Sequence, residues 1–269
     1  MTHGAAAKRA AREARSSPAL RVLARGGYAA NGVVHLLIGV IVVVIALGGK
    51  GESDQAGAFK AIGAAPLGFV ALWLLAALLA ALGVWHAANG LITSRSSDVE
   101  KWGVRISEWG QALVFLALGV IAASVALGAR PDANETAQDA SRGVLNLPGG
   151  AWLLGLVGLG IGIGGIAFVV MGVRRSFHSK VAIPDGRTGA LITTLGVIGF
   201  VAKGVALVVV GILLVIAAVR VDADTAAGLD GAIQSLLEVF GGPFLVALVG
   251  AGFIAYGVFC LFRARYARM

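Results

Sequence analysis

Seven polar side chains lie within or beside long apolar stretches of this sequence. They are Asn31, His35, His86, Asn89, Glu108, Gln111 and Lys203. Polar and ionisable groups are costly in hydrocarbon, so residues of this kind are functional candidates by default. Their chemistry covers hydrogen bonding by the amides, metal ligation or proton transfer by the imidazoles, and ion pairing between the lysine and the carboxylate.

The two histidines occupy neighbouring apolar stretches. Asn31 and His35 are four residues apart and therefore share one face of a helix. His86 and Asn89 lie near the end of the next stretch, so antiparallel packing brings His35 and His86 to a similar depth. Two facing imidazoles could ligate haem or a metal ion, or relay protons. The alternative is two buried histidines that are bonded to the backbone or to asparagine.

Lys203 is the only charged residue between Thr188 and Val219. Glu108 lies three residues before Gln111, which is the counterpart of Lys203 in the repeat described below, and is the expected ion-pair partner of Lys203. The alternative is that the lysine stem extends to the interface and keeps the ammonium group in water. A single helix over this stretch would be roughly 48 Å long against a hydrocarbon core of about 30 Å, so Lys203 could also lie deeper.

The elements that must position these residues are membrane-spanning helices. Of the 269 residues 58% are hydrophobic and only 13% are charged, whereas about a quarter of a soluble domain is charged. Six apolar stretches reach the roughly 20 residues that a spanning helix needs. They are Gly26–Gly49, Ala61–Ser94, Trp109–Ala129, Gly143–Val173, Thr188–Val219 and Val239–Phe262. The sequence therefore predicts an all-α, polytopic membrane protein with six transmembrane helices.

The distribution of charge predicts the orientation of these helices. Loops assigned to one side, together with both termini, carry 16 Lys and Arg residues against four acids, and the other side carries five against nine. Short loops that are rich in Lys and Arg stay in the cytoplasm. We therefore expect a multi-pass protein of the bacterial inner membrane with both termini cytoplasmic. The net charge of +8 reflects this topology, and no nucleic-acid partner is expected.

An internal repeat appears when Gly39, Gly119 and Gly211 are aligned. The aligned segments are GYAANGVVHLLIGV, SEWGQALVFLALGV and GFVAKGVALVVVGI, which place Asn31, Gln111 and Lys203 at one position. Each is followed by an acidic loop, a short amphipathic segment, a Pro/Gly turn and a second apolar stretch. The pattern predicts a basic tail over 1–25 and three tandem two-helix repeats over 26–95, 105–177 and 188–266. Parallel repeats of this kind favour a pseudo-threefold bundle.

The repeat resembles a family of bacterial membrane proteins that are common in actinobacteria, the domain of unknown function 1206. The resemblance covers about residues 24–266 and is clearest over Gly27–Gly39, where the G-Y-A-A-x-G-V-V opening occurs. It implies the Pro-Gly entry to each second helix and the three copies. The residue after G-Y-A-A in this family is usually arginine, whereas Asn31 stands here and Gln111 stands in the second copy. The resemblance implies no particular activity.

Known catalytic motifs such as the P-loop, HExxH and GxSxG are absent from the sequence, so any active site would have to be built inside the bundle. Our leading hypothesis is a non-enzymatic accessory or scaffold protein that binds a membrane protein partner, a second copy or lipid. The first alternative is a transporter or channel with Asn31, Gln111 and Lys203 near the pseudo-threefold axis. The second is a redox subunit that holds haem or a metal ion through His35 and His86. No other cofactor is expected.

Two further features bear on these hypotheses. Cys260 is the single cysteine, which excludes a disulfide within the chain. The fourth apolar stretch contains the overlapping pairs Gly158/Gly162 and Gly160/Gly164. Glycines with this spacing let helix backbones approach closely, either within the bundle or between protomers, and we expect them to pack within the bundle.

Overall fold

Six long helices and four short ones make up the described part of the chain. The computed structural model describes residues 3–94 and 97–268. The long helices are α2 (Pro18–Ala46), α4 (Gly68–Ile92), α5 (Asp98–Ala126), α7 (Gly150–Val173), α8 (Gly186–Arg220) and α10 (Gly242–Tyr266). The short helices are α1 (His3–Ser16), α3 (Gln55–Ala64), α6 (Ala133–Leu145) and α9 (Leu229–Leu237). All six long helices are long and apolar enough to cross a membrane, which confirms the predicted fold class.

Each repeat consists of a long helix, a short helix and a second long helix. The short helices α3, α6 and α9 lie in the acidic connections, at what we call the acidic end of the bundle, and the termini lie at the opposite, basic end. The first spanning helix begins at Pro18, inside the segment that was assigned to the basic tail. Residues 3–16 of that tail form α1, which packs against α4. The predicted end of repeat 1 at Arg95 lies outside the described residues.

Neighbouring repeats pack against one another in the same way at three places. The second helix of each repeat packs against the first helix of the next, which gives the pairs α4–α5, α7–α8 and α10–α2. The same small residues mediate each crossing. A Cβ atom at Gly39 would lie 2.7 Å from the carbonyl oxygen of Gly250, and one at Gly211 would lie 2.7 Å from that of Gly158. The bundle therefore has the predicted pseudo-threefold relation, and the pair α10–α2 joins the last repeat to the first.

The second helices also begin with one repeated turn. The residue before each helix has a left-handed backbone, with φ of 63°, 74° and 73° at Leu67, Gly149 and Gly241. The next residue is glycine in all three copies, and a side chain there would collide with the last carbonyl groups of the short helix, as at Gly150 against Val144. This geometry explains the Pro/Gly signal of the sequence, since glycine reaches such conformations without strain.

The interior of the bundle differs between its two ends. Towards the acidic end an apolar core joins side chains of seven helices, among them Ile38, Phe59, Leu79, Leu118 and Phe253. The buried polar side chains of the spanning helices collect towards the basic end. The acidic half is therefore closed by apolar packing, and the chemistry lies in the other half.

The ring of spanning helices is not complete. Helices of the same repeat pack together in repeat 1 (α2–α4) and in repeat 3 (α8–α10). Among the described residues α5 and α7 of repeat 2 have no comparable packing. The helix order around the bundle is therefore α5, α4, α2, α10, α8 and α7. We call the opening between α5 and α7 the lateral gap.

Candidate functional site

The buried polar groups lie at one depth. Asn31 is 15 residues from the acidic end of α2, and Lys203 is 17 residues from that of α8. At 1.5 Å per residue these positions are about 22–26 Å from the acidic end of their helices, within a hydrocarbon core of about 30 Å. His86 follows the start of α4 by 18 residues, which gives about 27 Å. We call these groups the polar layer.

A continuous chain of hydrogen bonds crosses this layer through four helices. Lys180 donates to Glu108 Oε1 at 3.4 Å, and His86 Nδ1 lies 2.8 Å from Glu108 Oε2. On its other side His86 Nε2 lies 3.2 Å from the Tyr28 hydroxyl, which accepts a hydrogen bond from Arg263 at 3.1 Å. Glu108 is 8% exposed and His86 is 2% exposed. Both oxygens of the buried Glu108 carboxylate therefore have a hydrogen-bond donor.

A second set of contacts surrounds Asn31 and His35. The Asn31 amide donates to Cys260 Sγ at 3.4 Å, across the α2–α10 crossing. His35 Nδ1 lies 2.8 Å from the Asn31 carbonyl oxygen, so this nitrogen carries the proton and Nε2 is the acceptor. The two residues share a buried helix face, as their spacing predicted.

Lys203 lies in a cage of aromatic rings. Its Nζ is 3.1 Å from His35 Nε2, 4.6 Å from the centre of the Tyr256 ring and 5.5 Å from that of Phe168. The predicted ion pair with Glu108 is wrong. Glu108 faces α4, whereas Lys203 faces α2 and α10 on the other side of the bundle. The cation is held by a neutral imidazole and by the electron-rich faces of the rings.

Gln111 and Asn89 do not join these networks. The Gln111 amide donates to the carbonyl and hydroxyl of Ser107 on its own helix. The side-chain oxygen of Asn89 is buried without a hydrogen-bond partner among the described residues. The three repeat-equivalent residues therefore make different contacts, with Asn31 on Cys260, Gln111 on Ser107 and Lys203 on His35. They do not converge on a common axis.

The two histidines do not face one another, although they lie in one layer. The partners of His35 are Asn31 and Lys203, and those of His86 are Glu108 and Tyr28. All four ring nitrogens therefore have a partner in the protein. A haem or a metal ion would have to displace one of them. Among the described residues no group of three or more His, Cys, Asp or Glu side chains is arranged to hold a metal ion.

Four contributors to the site were not singled out from the sequence. They are Tyr28, Lys180, Tyr256 and Arg263. For Tyr28 the repeat contained the signal, because Tyr28, Glu108 and Phe200 occupy one aligned position at the level of the layer. Lys180 and Arg263 were counted only as basic loop charges, and nothing in the sequence places Lys180 against a helix 72 residues away.

The acidic end carries a separate polar junction that joins the three repeats. Asp230 on α9 accepts hydrogen bonds from the backbone and hydroxyl of Ser53 at 2.8 and 2.7 Å. It also accepts from Asn134 on α6 at 3.1 Å and from Gln234 at 2.9 Å. Asp54 beside it caps α3 through the Gly57 N–H, and burial raises the pKa of the Asp54 carboxyl. This junction ties the short helices together and closes the acidic end.

The repeat register explains the lateral gap. In repeat 1, Gly27 of α2 receives Leu82 of α4, and in repeat 3, Gly199 of α8 receives Tyr256 of α10. The equivalent residues of repeat 2 are Ser107 on α5 and Gly164 on α7. In repeat 2, Ser107 thus has a side chain where repeats 1 and 3 have glycine. Gly164 has none where they have Leu82 and Tyr256.

Three glycines of α5 and α7 have open space beside them. A Cβ atom added at Gly110, Gly160 or Gly164 would meet no atom within 4 Å. The expectation that Gly160 and Gly164 pack within the bundle is therefore wrong. It is Gly158 and Gly165 of α7 that pack against α8. Only 17% of the most apolar window of α7 is buried, against 56% for α10.

Comparison with known proteins agrees with the three repeats. A family model, Domain of Unknown Function (DUF1206), matches residues 26–92, 109–175 and 198–267. The chain is also 26% identical over 258 residues to the uncharacterized protein YxxB of Bacillus subtilis (strain 168), which covers 94% of both chains. No solved structure matches. Because the three matched segments span most of the sequence and coincide with the three helix pairs, this membrane protein belongs to the DUF1206 family.

Proposed function

We propose that this protein is a non-enzymatic accessory protein that holds the transmembrane helix of a partner protein in the lateral gap. One observation carries the proposal. A closed threefold ring would have six helix contacts, and among the described residues only α5 and α7 lack packing comparable with the other five. In the other two repeats the corresponding place is filled by side chains of the protein itself.

The chemistry of the walls favours a helix over other occupants. Gly160 and Gly164 on α7 face Ser107 and Gly110 on α5, and small residues on both walls allow a helix backbone to approach closely. Gln111 at the same level bonds only within its own helix, so its amide is available to a polar group of an inserted helix. A lipid chain offers no such hydrogen bond. A second copy that met the gap with its own gap would bring four walls together and insert no helix.

The gap itself can be tested by filling it. Gly160→Leu and Gly164→Leu restore the large side chains that repeat 1 carries as Leu78 and Leu82, and should abolish partner binding. Gly162→Leu is the matched control, because Gly162 is equally open but lies on the opposite face of α7. Binding is measured by native mass spectrometry after mild extraction, with a photo-crosslinking residue at position 164 or, as control, at position 162.

The identity of the crosslinked mass decides between occupants. A protein adduct of distinct mass at position 164, absent at position 162 and lost in the Gly160→Leu variant, supports the proposal. A lipid adduct or a homodimer at position 164 would overturn it in favour of lipid binding or self-association. Equal adducts at both positions would mean that the gap has no special role.

Transport of a small solute is the second candidate function. It is favoured by Lys203, a cation in the membrane-spanning region that has an imidazole and two aromatic rings as neighbours rather than an acid. Intramembrane cations of this kind occur on substrate and ion pathways. The test is flux of small anions and protons into liposomes. Flux that is abolished in Lys203→Ala but kept in Lys101→Ala would support transport, and absence of flux in the unmodified protein would exclude it for those solutes.

A further inference from the structure

We propose that His86 is an intramembrane proton-binding site, and that binding of a proton there releases Lys180 from Glu108 and opens the contact between α5 and the connection before α8. The proposal does not depend on the lateral gap. It rests on the fact that His86 and Lys180 bind the two oxygens of one carboxylate.

The hydrogen-bond directions at the two ends of the chain are fixed by the side chains that lie there. Lysine and arginine side chains can only donate, so Lys180 must donate to Glu108, and Arg263 must donate to the oxygen of Tyr28. Glu108 as a carboxylate can only accept, so the proton between it and His86 belongs to Nδ1. When His86 is neutral, Nε2 carries no proton and accepts from the Tyr28 hydroxyl. Nε2 is then the ring nitrogen to which a further proton can add.

Protonation changes two of these bonds. A proton from water at the basic end adds to Nε2 and forms an N–H bond that points at the Tyr28 oxygen. Tyr28 keeps its own proton, turns it away from the ring, and accepts from both His86 and Arg263 with its two lone pairs. No other covalent bond forms or breaks, and the charge of the site rises by one.

The new charge competes with Lys180 for Glu108. The imidazolium would lie 2.8 Å from the carboxylate in a buried position, whereas Lys180 lies 3.4 Å away and is half-exposed. Attraction between charges is strongest at short distance and away from water. Once His86 neutralises Glu108, the Lys180 contact is weakened and the two cations repel one another.

Every neighbour of His86 acts in this balance. Tyr28 faces it from α2, and Glu108 faces it from α5, where Phe115 also stacks on the ring at 5.5 Å. Lys180 approaches from the connection before α8, and Arg263 approaches from α10 through Tyr28. The site thus contains one acid and two permanent cations, and the acid is what allows His86 to take up a third positive charge.

Lys180 anchors the structure that covers the basic end. Its carbonyl accepts from the Arg268 N–H at 3.1 Å, and the Ala182 N–H donates to the Tyr266 carbonyl at 2.8 Å. Together they join the connection before α8 to the C-terminal residues. The contact with Glu108 is the one by which Lys180 holds this pair of segments onto α5. Its loss opens that contact, whereas Phe177 and Val181 keep the connection packed against α8 and α10.

The test follows the protonation of His86 and the position of Lys180 in one sample. The full-length protein in lipid nanodiscs carries spin labels at Ser179→Cys and Gly103→Cys, both exposed positions, while the native Cys260 is fully buried. Lowering the pH from 8 to 5 should lengthen the distance between the labels by several ångströms. The imidazole nitrogen signals of His86 should move to the charged form over the same pH range.

Three variants make the outcome decisive. In His86→Gln, which keeps a side chain able to hydrogen-bond, the distance should no longer depend on pH, whereas His35→Gln should respond like the parent. Glu108→Gln should show the longer distance at every pH. A pH-independent distance in the parent, or an unchanged response in His86→Gln, would overturn the proposal. A purely structural hydrogen bond would lower the thermal midpoint in these variants without removing the pH response.

Discussion

Gly39 and Gly250 meet where the first and the last spanning helices cross, with their backbones so close that neither position has room for a methyl group. Gly211 and Gly158 meet in the same way at the crossing of α8 and α7. At the equivalent crossing of α5 and α4, a Cβ atom added at Gly119 would lie 3.1 Å from the carbonyl oxygen of Ala76, which is slightly farther. The same kind of contact between small residues therefore lies at each crossing of neighbouring repeats.

Substitution at such a crossing should destabilise the protein. Gly211→Ala places a methyl group against the backbone of Gly158 and Gly162, and overpacking of this kind costs about 1–3 kcal/mol. Gly164→Ala is the control, since its added methyl group meets nothing within 4 Å. The two are compared by thermal unfolding in detergent, monitored by circular dichroism. Equal midpoints would contradict the close packing at Gly211.

The acidic junction should be a second determinant of stability. Asp230→Ala leaves Ser53 and Asn134 without their acceptor, and the loss of several hydrogen bonds to a buried carboxylate should cost about 3 kcal/mol or more. Asp139→Ala removes an exposed acid on α6 that pairs with Arg142, and should change the stability by less than about 1 kcal/mol. Unfolding midpoints of the two variants, together with protease cleavage of the α6 and α9 connections, check this expectation. Similar behaviour of both variants would mean that Asp230 does not join the repeats.

Asp54 should make stability depend on pH in the direction opposite to a salt-bridged acid. Because burial raises the pKa of its carboxyl in the folded state, its contribution is most favourable at low pH and is lost as the pH rises through the folded-state pKa. Asp54→Asn keeps the acceptor for the Gly57 N–H but carries no charge. It should therefore stabilise the protein at pH 7 and have less effect at pH 4.

Asp54→Ala separates the cap from the charge. Loss of the N-cap acceptor of α3 costs about 1 kcal/mol, so this variant should be less stable than Asp54→Asn at both pH values. The measurement is again the unfolding midpoint, taken at pH 4 and pH 7 in one detergent. A larger benefit of Asp54→Asn at pH 4 than at pH 7 would contradict the assignment.

Orientation in the membrane can be read from single cysteines. Cys260 is fully buried, so an added cysteine supplies the accessible thiol. The charge distribution predicts that Gly143→Cys at the acidic end reacts with a membrane-impermeant maleimide in intact cells. Ser179→Cys at the basic end should react only after lysis. The reverse pattern would place the termini outside.

The sequence predicted the architecture because its signals are local and threefold. Six apolar stretches and the spacing of Gly39, Gly119 and Gly211 define the helices and their register, and the structure uses those same three glycines at the crossings. The candidate site was predicted in part. Asn31, His35 and His86 were placed in one buried layer, but their partners were not. His86 binds Glu108 rather than His35, and which helices become neighbours is decided by packing across the whole bundle.

The lateral gap illustrates the same limit. The GxxxG spacing of α7 favours close helix contact wherever a partner exists, and the spacing alone does not say which glycines have one. Gly158 and Gly165 find α8, whereas Gly160 and Gly164 face an opening that depends on Ser107 in another helix. Once the register of the repeats is known, the exchange of Gly27 and Gly199 for Ser107 is visible in the sequence. It acquires meaning only when the opposing helix is in place.

The pairing of α2 with α10 has a consequence for the insertion of the helices during synthesis. The helix that is inserted first must wait for the one that is inserted last, because Asn31 bonds to Cys260 and Tyr28 bonds to Arg263. Until α10 is inserted, one face of α2 exposes the Asn31 amide, Gly32 and Gly39. The group α2–α4–α5 and the pair α7–α8 then have no comparable packing between their described spanning helices. Helix α10 therefore joins two groups of helices that would otherwise be separate.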